Sequence, residues 1–534
     1  MSSTPPTARE GSLAFSDARN CKEWLGALPL TNIPQAQALV LEQLRILNRT
    51  DINALERLKC MELMRDKVAF LQGEQRSRYF GKTLPLSAND NAAWVTGRAL
   101  LEEMEAGYRQ CLAGGQANPE AARHSALIAQ RIMRYIGAQM LFHAIVYKRF
   151  DPQLWPRLHQ QYLAAEATGY EAERIKDSLE GEEHSSSVSD AYAQVVLFQA
   201  AFLSEMTAPQ MDFVEAILRL WIRKVRVLRG DAAPGTGPAA LVVDPAKPIG
   251  ARPRPRAELQ GDLRVLDTEA LSLSIRKRIH GLQSNEDPVT LGLPPETGTL
   301  EPLIELKRLH KLWCEGAPPR PNAKPSKQDK AGLVFGLGEI HFFVSGGKVF
   351  EQPDKKRELT SQEKQDIEVF GRVSERTQSK MKAEHNYTME SWDIVEEMLG
   401  AVRLLRPATA SRGVQIGRIV GIRLGDAPVF YLGMVSELTQ ETDGRIVVTI
   451  SIFPGKPEPI AVRASDARNR VSAGWVQGFR LPALDKIKVP PTLVVPTGIG
   501  KRGRGVETWA GGAKESTVEE VLDHGSDFDR VTVF

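Results

Sequence analysis

Val429-Phe430-Tyr431-Leu432-Gly433-Met434-Val435 and, beyond the turn at Asp443-Gly444, Arg445-Ile446-Val447-Val448-Thr449-Ile450-Ser451-Ile452 decide the fold of the C-terminal half. Ile446, Val448, Ile450 and Ile452 occupy every second position while Arg445, Val447, Thr449 and Ser451 take the other face, the period of a half-buried strand. Asp-Gly ahead of such a run predicts a hairpin, because glycine accepts the positive φ of a tight turn. The Val429–Val435 run is then its antiparallel partner. Gly417 to Leu424 reads as an earlier strand, ended by the breakers Gly425-Asp426-Ala427-Pro428. Four or five short strands between Trp392 and Pro454 predict an antiparallel sheet that closes into a barrel to hide its edges.

Strand-forming residues extend outward from this centre. Thr492–Pro496 and Val531–Phe534 follow it, predicting a second sheet or an extended barrel to the last residue. Gly332 to Phe335 precedes it, and β-type apolar residues continue through His341, Phe342, Phe343 and Val344. The β-rich region is therefore set at 331–534. Gly498-Ile499-Gly500-Lys501-Arg502-Gly503-Arg504-Gly505 combines glycines that let backbone amides approach a phosphate with three cations. No Ser or Thr follows the lysine as in a Walker loop, and the stretch reads as a basic glycine hairpin.

The N-terminal region follows a different period. Leu55, Leu58, Met61, Met64, Val68 and Leu71 recur at spacings of three and four, as do Leu127, Ile128, Ile132 and Ile136 after Asn118-Pro119. Six or seven helices are expected over 19–229, as an all-helical bundle or a helical-repeat array. Trp155, Leu158 and Tyr162 match the opening spacing of a tetratricopeptide repeat, with no second copy evident downstream. Ser185-Ser186-Ser187 reads as a loop and helix cap. Residues 1–18 read as a disordered tail. A Gly/Pro linker near 230–237 leads to 239–316, a small α+β domain or linker with short strands at Leu241–Val243 and Leu263–Leu266 and the extended Arg252-Pro253-Arg254-Pro255-Arg256. The fold class is thus α+β multidomain, helical first and barrel last.

Composition narrows the function. A net charge of +3 in 534 residues, 25% of them charged, describes an ordinary soluble protein rather than a polyanion binder. Cys21, Cys60, Cys111 and Cys314 are far apart and unpaired in motif, which suits a reduced cytoplasm. No eighteen-residue apolar run and no basic-then-apolar leader is present, so neither secretion nor a membrane span is expected. His310 and Cys314 share one helix face, but two ligands do not hold a structural zinc. No catalytic constellation, cofactor motif or nucleic-acid signature emerges, and no enzymatic activity is expected.

The order Arg372, Arg376, Gly400, Gly417-Arg418-Ile419-Val420 and Leu432-Gly433-Met434-Val435 resembles the PilZ family of bacterial cyclic di-GMP receptors, over about 371–465. In that family two arginines four apart precede the barrel, and a strand then carries Asp or Asn, Ser two on and Gly three further. Here Val395 stands at the acid position and Glu397 at the serine position. The resemblance implies a cytoplasmic signalling effector that binds cyclic di-GMP through Arg372, Arg376, Glu397 and Gly400 and relays it to a protein partner through the helical domain. A guanidinium fork suits guanine O6 and N7 or a phosphate. Val395 and Glu397 point to the alternative, a PilZ-like interaction adaptor that binds no nucleotide.

Overall fold

The computed structural model describes residues 11–534 except 116–118, 181–183, 231–238, 256–258, 260, 295–301, 317–323, 326–328, 354–360, 371–386, 426, 428 and 466–473. Two compact units make up the chain: Met1–Lys82 with Leu86–Pro319, and Thr83–Pro85 with Arg320–Phe534.

The first unit is built on α1 (Ala18–Gly26), α2 (Ile33–Leu47), α3 (Ala54–Gln75), α4 (Ala88–Gly115), the single turn α5 (Pro119–Ala122), α6 (Ser125–Ala144) and α7 (Leu154–Thr168). A two-stranded ribbon, β1 (Ile175–Lys176) with β2 (Ser185–Ser186), leads to α8 (Val188–Gln199) and α9 (Ala208–Trp221). Local chemistry starts and stops these helices. Asn53 Oδ1 accepts from the amides of Leu55 and Glu56 at the head of α3, and Ser187 and Asp190 form a reciprocal capping box on α8. Gly169, at φ +80°, ends α7. The long helices α4 and α6 bury Met104, Tyr108, Ile132 and Ile136 between them. Trp155, Leu158 and Tyr162 are core residues of α7, and the Tyr162 ring stacks on Tyr192 at 4.3 Å.

A four-stranded antiparallel sheet completes this unit in the order β3 (Arg226–Arg229), β6 (Arg264–Asp267), β4 (Ala239–Val243), β5 (Arg252–Pro255). Proline cannot donate to a ladder, so the alternating Arg-Pro segment sits on the edge. Helices α10 (Glu269–Gln283) and α11 (Pro302–Trp313) follow, and Trp313 Nε1 donates to the Leu197 carbonyl at 2.9 Å, fastening α11 to α8.

The second unit holds two antiparallel barrels in sequence. The first uses β7 (Lys324–Pro325), β8 (Lys330–Phe335), β9 (Glu390–Met398), β10 (Ala401–Leu405), β11 (Ile419–Leu424), β12 (Tyr431–Gln440) and β13 (Ile446–Ile452). Its ring runs β8-β9-β10-β13-β12-β11 and returns to β8, with β7 extending the β8 edge along β9. The expected Asp443-Gly444 hairpin is present, with Gly444 at φ +87°. The second barrel closes β14 (Glu458–Ser465), β15 (Val476–Leu481), β16 (Thr492–Pro496), β19 (Phe528–Val533), β18 (Ala513–His524) and β17 (Gly505–Trp509) in that circular order. Its interior contains Ile460, Val462, Leu493, Val495, Val506, Val518 and Val531.

Two assignments differ from the sequence expectation. Glu458–Ser465 belongs to the second barrel, and the first barrel is instead closed from upstream by β8. Leu337–Val344 is a helix, α12, where strand was expected. Gly336, at φ +89°, turns the chain out of the sheet, and the apolar run then packs on both barrels. Ile340 of α12 lies over Gly421 of β11, where a Cβ would stand 2.9 Å from Ile340 Cγ2. One core joins α12 to both barrels through Val334, Ile340, Ile419, Leu432, Phe453, Phe479 and Phe528. A further helix, α13 (Ser361–Phe370), precedes the segment that holds Arg372 and Arg376. Among the described residues no helix is long and apolar enough to cross a membrane.

Gly433 in β12 tests the close approach of β13. A Cβ there would lie 2.7 Å from both Ile450 Cγ2 and the Ser451 carbonyl oxygen. Backbone cannot swing aside as a side chain can, so Gly433→Ala is expected to lower stability by about 1–3 kcal/mol, read as an earlier urea transition followed by tryptophan fluorescence.

Candidate functional site

The hairpin between β9 and β10 carries the described part of the expected nucleotide site. Gly400 turns the chain at φ +72° beside Leu399, which is 95% exposed, and its carbonyl accepts from the Ile452 amide at 2.8 Å. Glu397 is half-buried, opposite Val402 on one edge of β9 and Lys324 on the other. Arg403 pairs with Glu396 and Leu404 with Ile394, so Val395 is the extra residue of a β-bulge. Its side chain is 44% exposed. Arg403 is neutralised by Glu396 at 2.8 Å and Glu437 at 3.0 Å, and Thr449 Oγ1 donates to Glu437. The fork of Arg403 is thus committed within the barrel wall. Glu397 and Gly400 lie on one hairpin; Arg372 and Arg376 fall outside the described residues.

The basic glycine stretch of the second barrel is internally satisfied. The amides of Gly498 and Gly500 donate to Asp529 Oδ2 at 2.9 and 3.3 Å, and Arg504 donates to the Gly498 carbonyl. A carboxylate of the chain itself occupies the place a phosphate would take. His310 bonds Ser272 through Nε2 at 2.8 Å and meets Glu315 at 3.1 Å. No cluster of three or more His, Cys, Asp or Glu able to hold a metal ion occurs among the described residues.

At the start of β9 the first barrel has a cavity of about 640 Å³ in its outer wall. Arg423 of β11 stands opposite Gly332 of β8, and the thioether of Met389 covers that glycine, where a Cβ would come within 2.8 Å of the sulfur. Glu390 shapes the rim, its Oε1 accepting from the amides of Ser411 and Arg412 at 2.8 Å each and its Oε2 from Trp392 Nε1 at 3.1 Å. Lys330 pairs with Asp393 at 2.9 Å. Arg423 lies 5.7 Å from the Phe430 ring centroid, and its buried Nε has no hydrogen-bond partner.

The helical unit contains a cavity of about 500 Å³ between α3, α6, α8 and α9. Val68, Leu141, Val195 and Phe198 form an apolar wall, with Arg65 and Arg134 among the polar residues. Both arginines turn toward Asp177, which is fully buried, and Arg131 joins them. Burial pushes the Asp177 carboxyl up, but Arg134, Arg65 and Arg131 together outweigh it and hold it down at about 2. Arg131 also makes two 3.0 Å bonds to Glu62. Sequence reasoning missed this network. Its one local sign is an arginine within the apolar stripe of α3, between Met64 and Val68.

Residues 19–232 match the profile of a family described as the N-terminal domain of the cyclic-di-GMP receptor FimW. The chain is also 22% identical over 532 residues to the cyclic-di-GMP receptor FimW of Pseudomonas aeruginosa, covering 92% of this chain and 86% of that protein.

Asp177 carries a pH signature. Its folded value lies below the unfolded 3.8, so its stabilisation is complete above about pH 4 and is lost as pH falls from there through 2. About 2 kcal/mol is at stake. Asp177→Asn, which leaves three guanidinium groups facing a neutral partner, is expected to cost about 3–5 kcal/mol at neutral pH. Urea melts of wild type and variant between pH 2.5 and 7 check both, the gap narrowing toward the acid end.

Proposed function

We propose that this protein is a cytoplasmic signalling effector that binds cyclic di-GMP at its first barrel, which we read as PilZ-like, and that it performs no chemistry on the ligand. The observation that carries the reading is the likeness to a cyclic-di-GMP receptor along nearly the whole chain, helical and barrel regions together. A closed barrel with a glycine-turned hairpin at Gly400 supports it. In this reading Arg372 and Arg376 present planar forks to guanine edges or phosphate oxygens. Gly400 leaves the turn bare for close approach, and the Glu397 carboxylate accepts from the guanine N1 and N2 hydrogens. The helical unit offers the surface for a protein partner. Ligand shifts the population toward whichever arrangement it binds better, by the difference in affinity alone.

A second reading, an adaptor that binds no nucleotide, is favoured by Val395 and Leu399, which expose apolar side chains on the same hairpin. A thermal melt separates the two. Ligand at one hundred times its Kd stabilises the native state by about 2.7 kcal/mol, so a micromolar receptor melts several degrees higher with 100 µM cyclic di-GMP. An unchanged melt favours the adaptor.

Calorimetric titration then assigns the arginines. Each lost base contact costs about 1–3 kcal/mol, and the Arg372→Ala, Arg376→Ala double variant is expected to bind at least tenfold more weakly than wild type. Equal affinity would remove both residues from the site.

A further inference from the structure

We infer that the cavity at the start of β9 is a second binding site on the first barrel, one that takes the base of a guanine nucleotide on Arg423. The inference stands apart from the hairpin site. Six residues of β9 separate Ser391 at the cavity from Glu397 at the hairpin, about 20 Å along an extended strand, too far for one base to touch both.

Three observations carry it. Arg423 is a half-buried guanidinium whose Nε is enclosed and without a hydrogen-bond partner. Other arginines of this barrel are engaged: Arg403 with Glu396 and Glu437, Arg412 with Glu339, and Arg418 with the Gly413 carbonyl. The Arg423 charge has no carboxylate partner among the described residues, so an acceptor presented by a ligand in the cavity answers it. Second, Arg423 lines a cavity of about 640 Å³ beside Gly332, over which Met389 is packed, and that volume is large enough for a nucleotide. Third, the lining has the polarity of a guanine edge. A guanidinium fork donates to O6 and N7, while the Asp329 carboxylate, exposed at the lip, accepts from N1 and N2 hydrogens. Met389 supplies an apolar surface for the ring face, and the Phe430 ring flanks the cation. Adenine offers an amino donor where guanine presents O6, so it sets a donor against the fork.

The full chain is titrated calorimetrically with GMP, cyclic di-GMP and AMP, alongside the Arg423→Ala and Asp329→Asn variants, each checked for an unchanged melting temperature. The expected result is that wild type binds GMP more tightly than AMP, that Arg423→Ala weakens GMP binding at least tenfold, and that Asp329→Asn, an exposed change that spares the fold, narrows the GMP over AMP preference. If cyclic di-GMP also loses an Arg423-dependent binding event, the second messenger is itself a source of the base. Equal GMP affinity in wild type and Arg423→Ala, or no GMP binding by wild type, overturns the inference. Cyclic di-GMP binding that survives Arg423→Ala beside absent GMP binding overturns it while leaving the hairpin reading intact.

Discussion

Strand β9 is hydrogen-bonded along both edges, to β10 on one side and to β8 and β7 on the other, and this double pairing turns the first sheet into a closed barrel. An open antiparallel sheet would leave a row of unpaired amides and carbonyls, and closure removes that edge. The placement of the two candidate sites follows from it. One end of β9 turns at Gly400 into the hairpin, and the other begins at the cavity with Arg423. The bulge at Val395 lies between them, where one strand carries an extra residue and side-chain direction changes.

The helix α12 is the second determinant. Because Gly336 breaks the strand and Gly421 leaves a bare patch on β11, an eight-residue helix fits against the first barrel while its other side meets β14 and β15 of the second. Polar bonds lock the same junction. The Ile419 amide donates to Asp527 Oδ1 at 2.9 Å, the Ser526 amide to the Gly417 carbonyl at 2.8 Å, and Arg530 lies over the Phe453 ring at 4.7 Å. Burial pushes His341 of α12 down to about 4, against the pull of its bond to the Ile460 backbone. It is neutral at physiological pH, and the junction gains no charge there.

Much of this was legible from residue order. The hairpin at Asp443-Gly444, the strands at Thr492–Pro496 and Leu241–Val243 and the cap at Ser187 each depend on neighbours a few positions apart. Local chemistry decides such elements. The α12 segment was misjudged for the opposite reason: Leu-Gly-Glu-Ile-His-Phe-Phe-Val has strand-like composition, and only two flanking barrels make a short, mostly apolar helix the better burial. For the candidate site, Gly400 and Glu397 were visible as a spacing, but the bulge at Val395 was not, since it depends on register with β10. Arg423 drew no notice because an arginine inside a strand is ordinary until the absence of a partner is seen in space.

The amino-acid order by itself determined the division into a helical region and a β-rich region, because a period of three to four or of two is written directly in successive side chains. It also marked the turns, since glycine alone accepts their backbone angles at little cost. Tertiary structure alone decided that there are two barrels, that β8 closes the first from upstream, and which charges are satisfied. Those outcomes are pairings between distant residues: Asp177 with Arg65 across 112 positions, Arg403 with Glu437 across 34, Asp529 with Gly498 across 31. Their energies exist only once the chain has brought the partners together, and no local pattern encodes them.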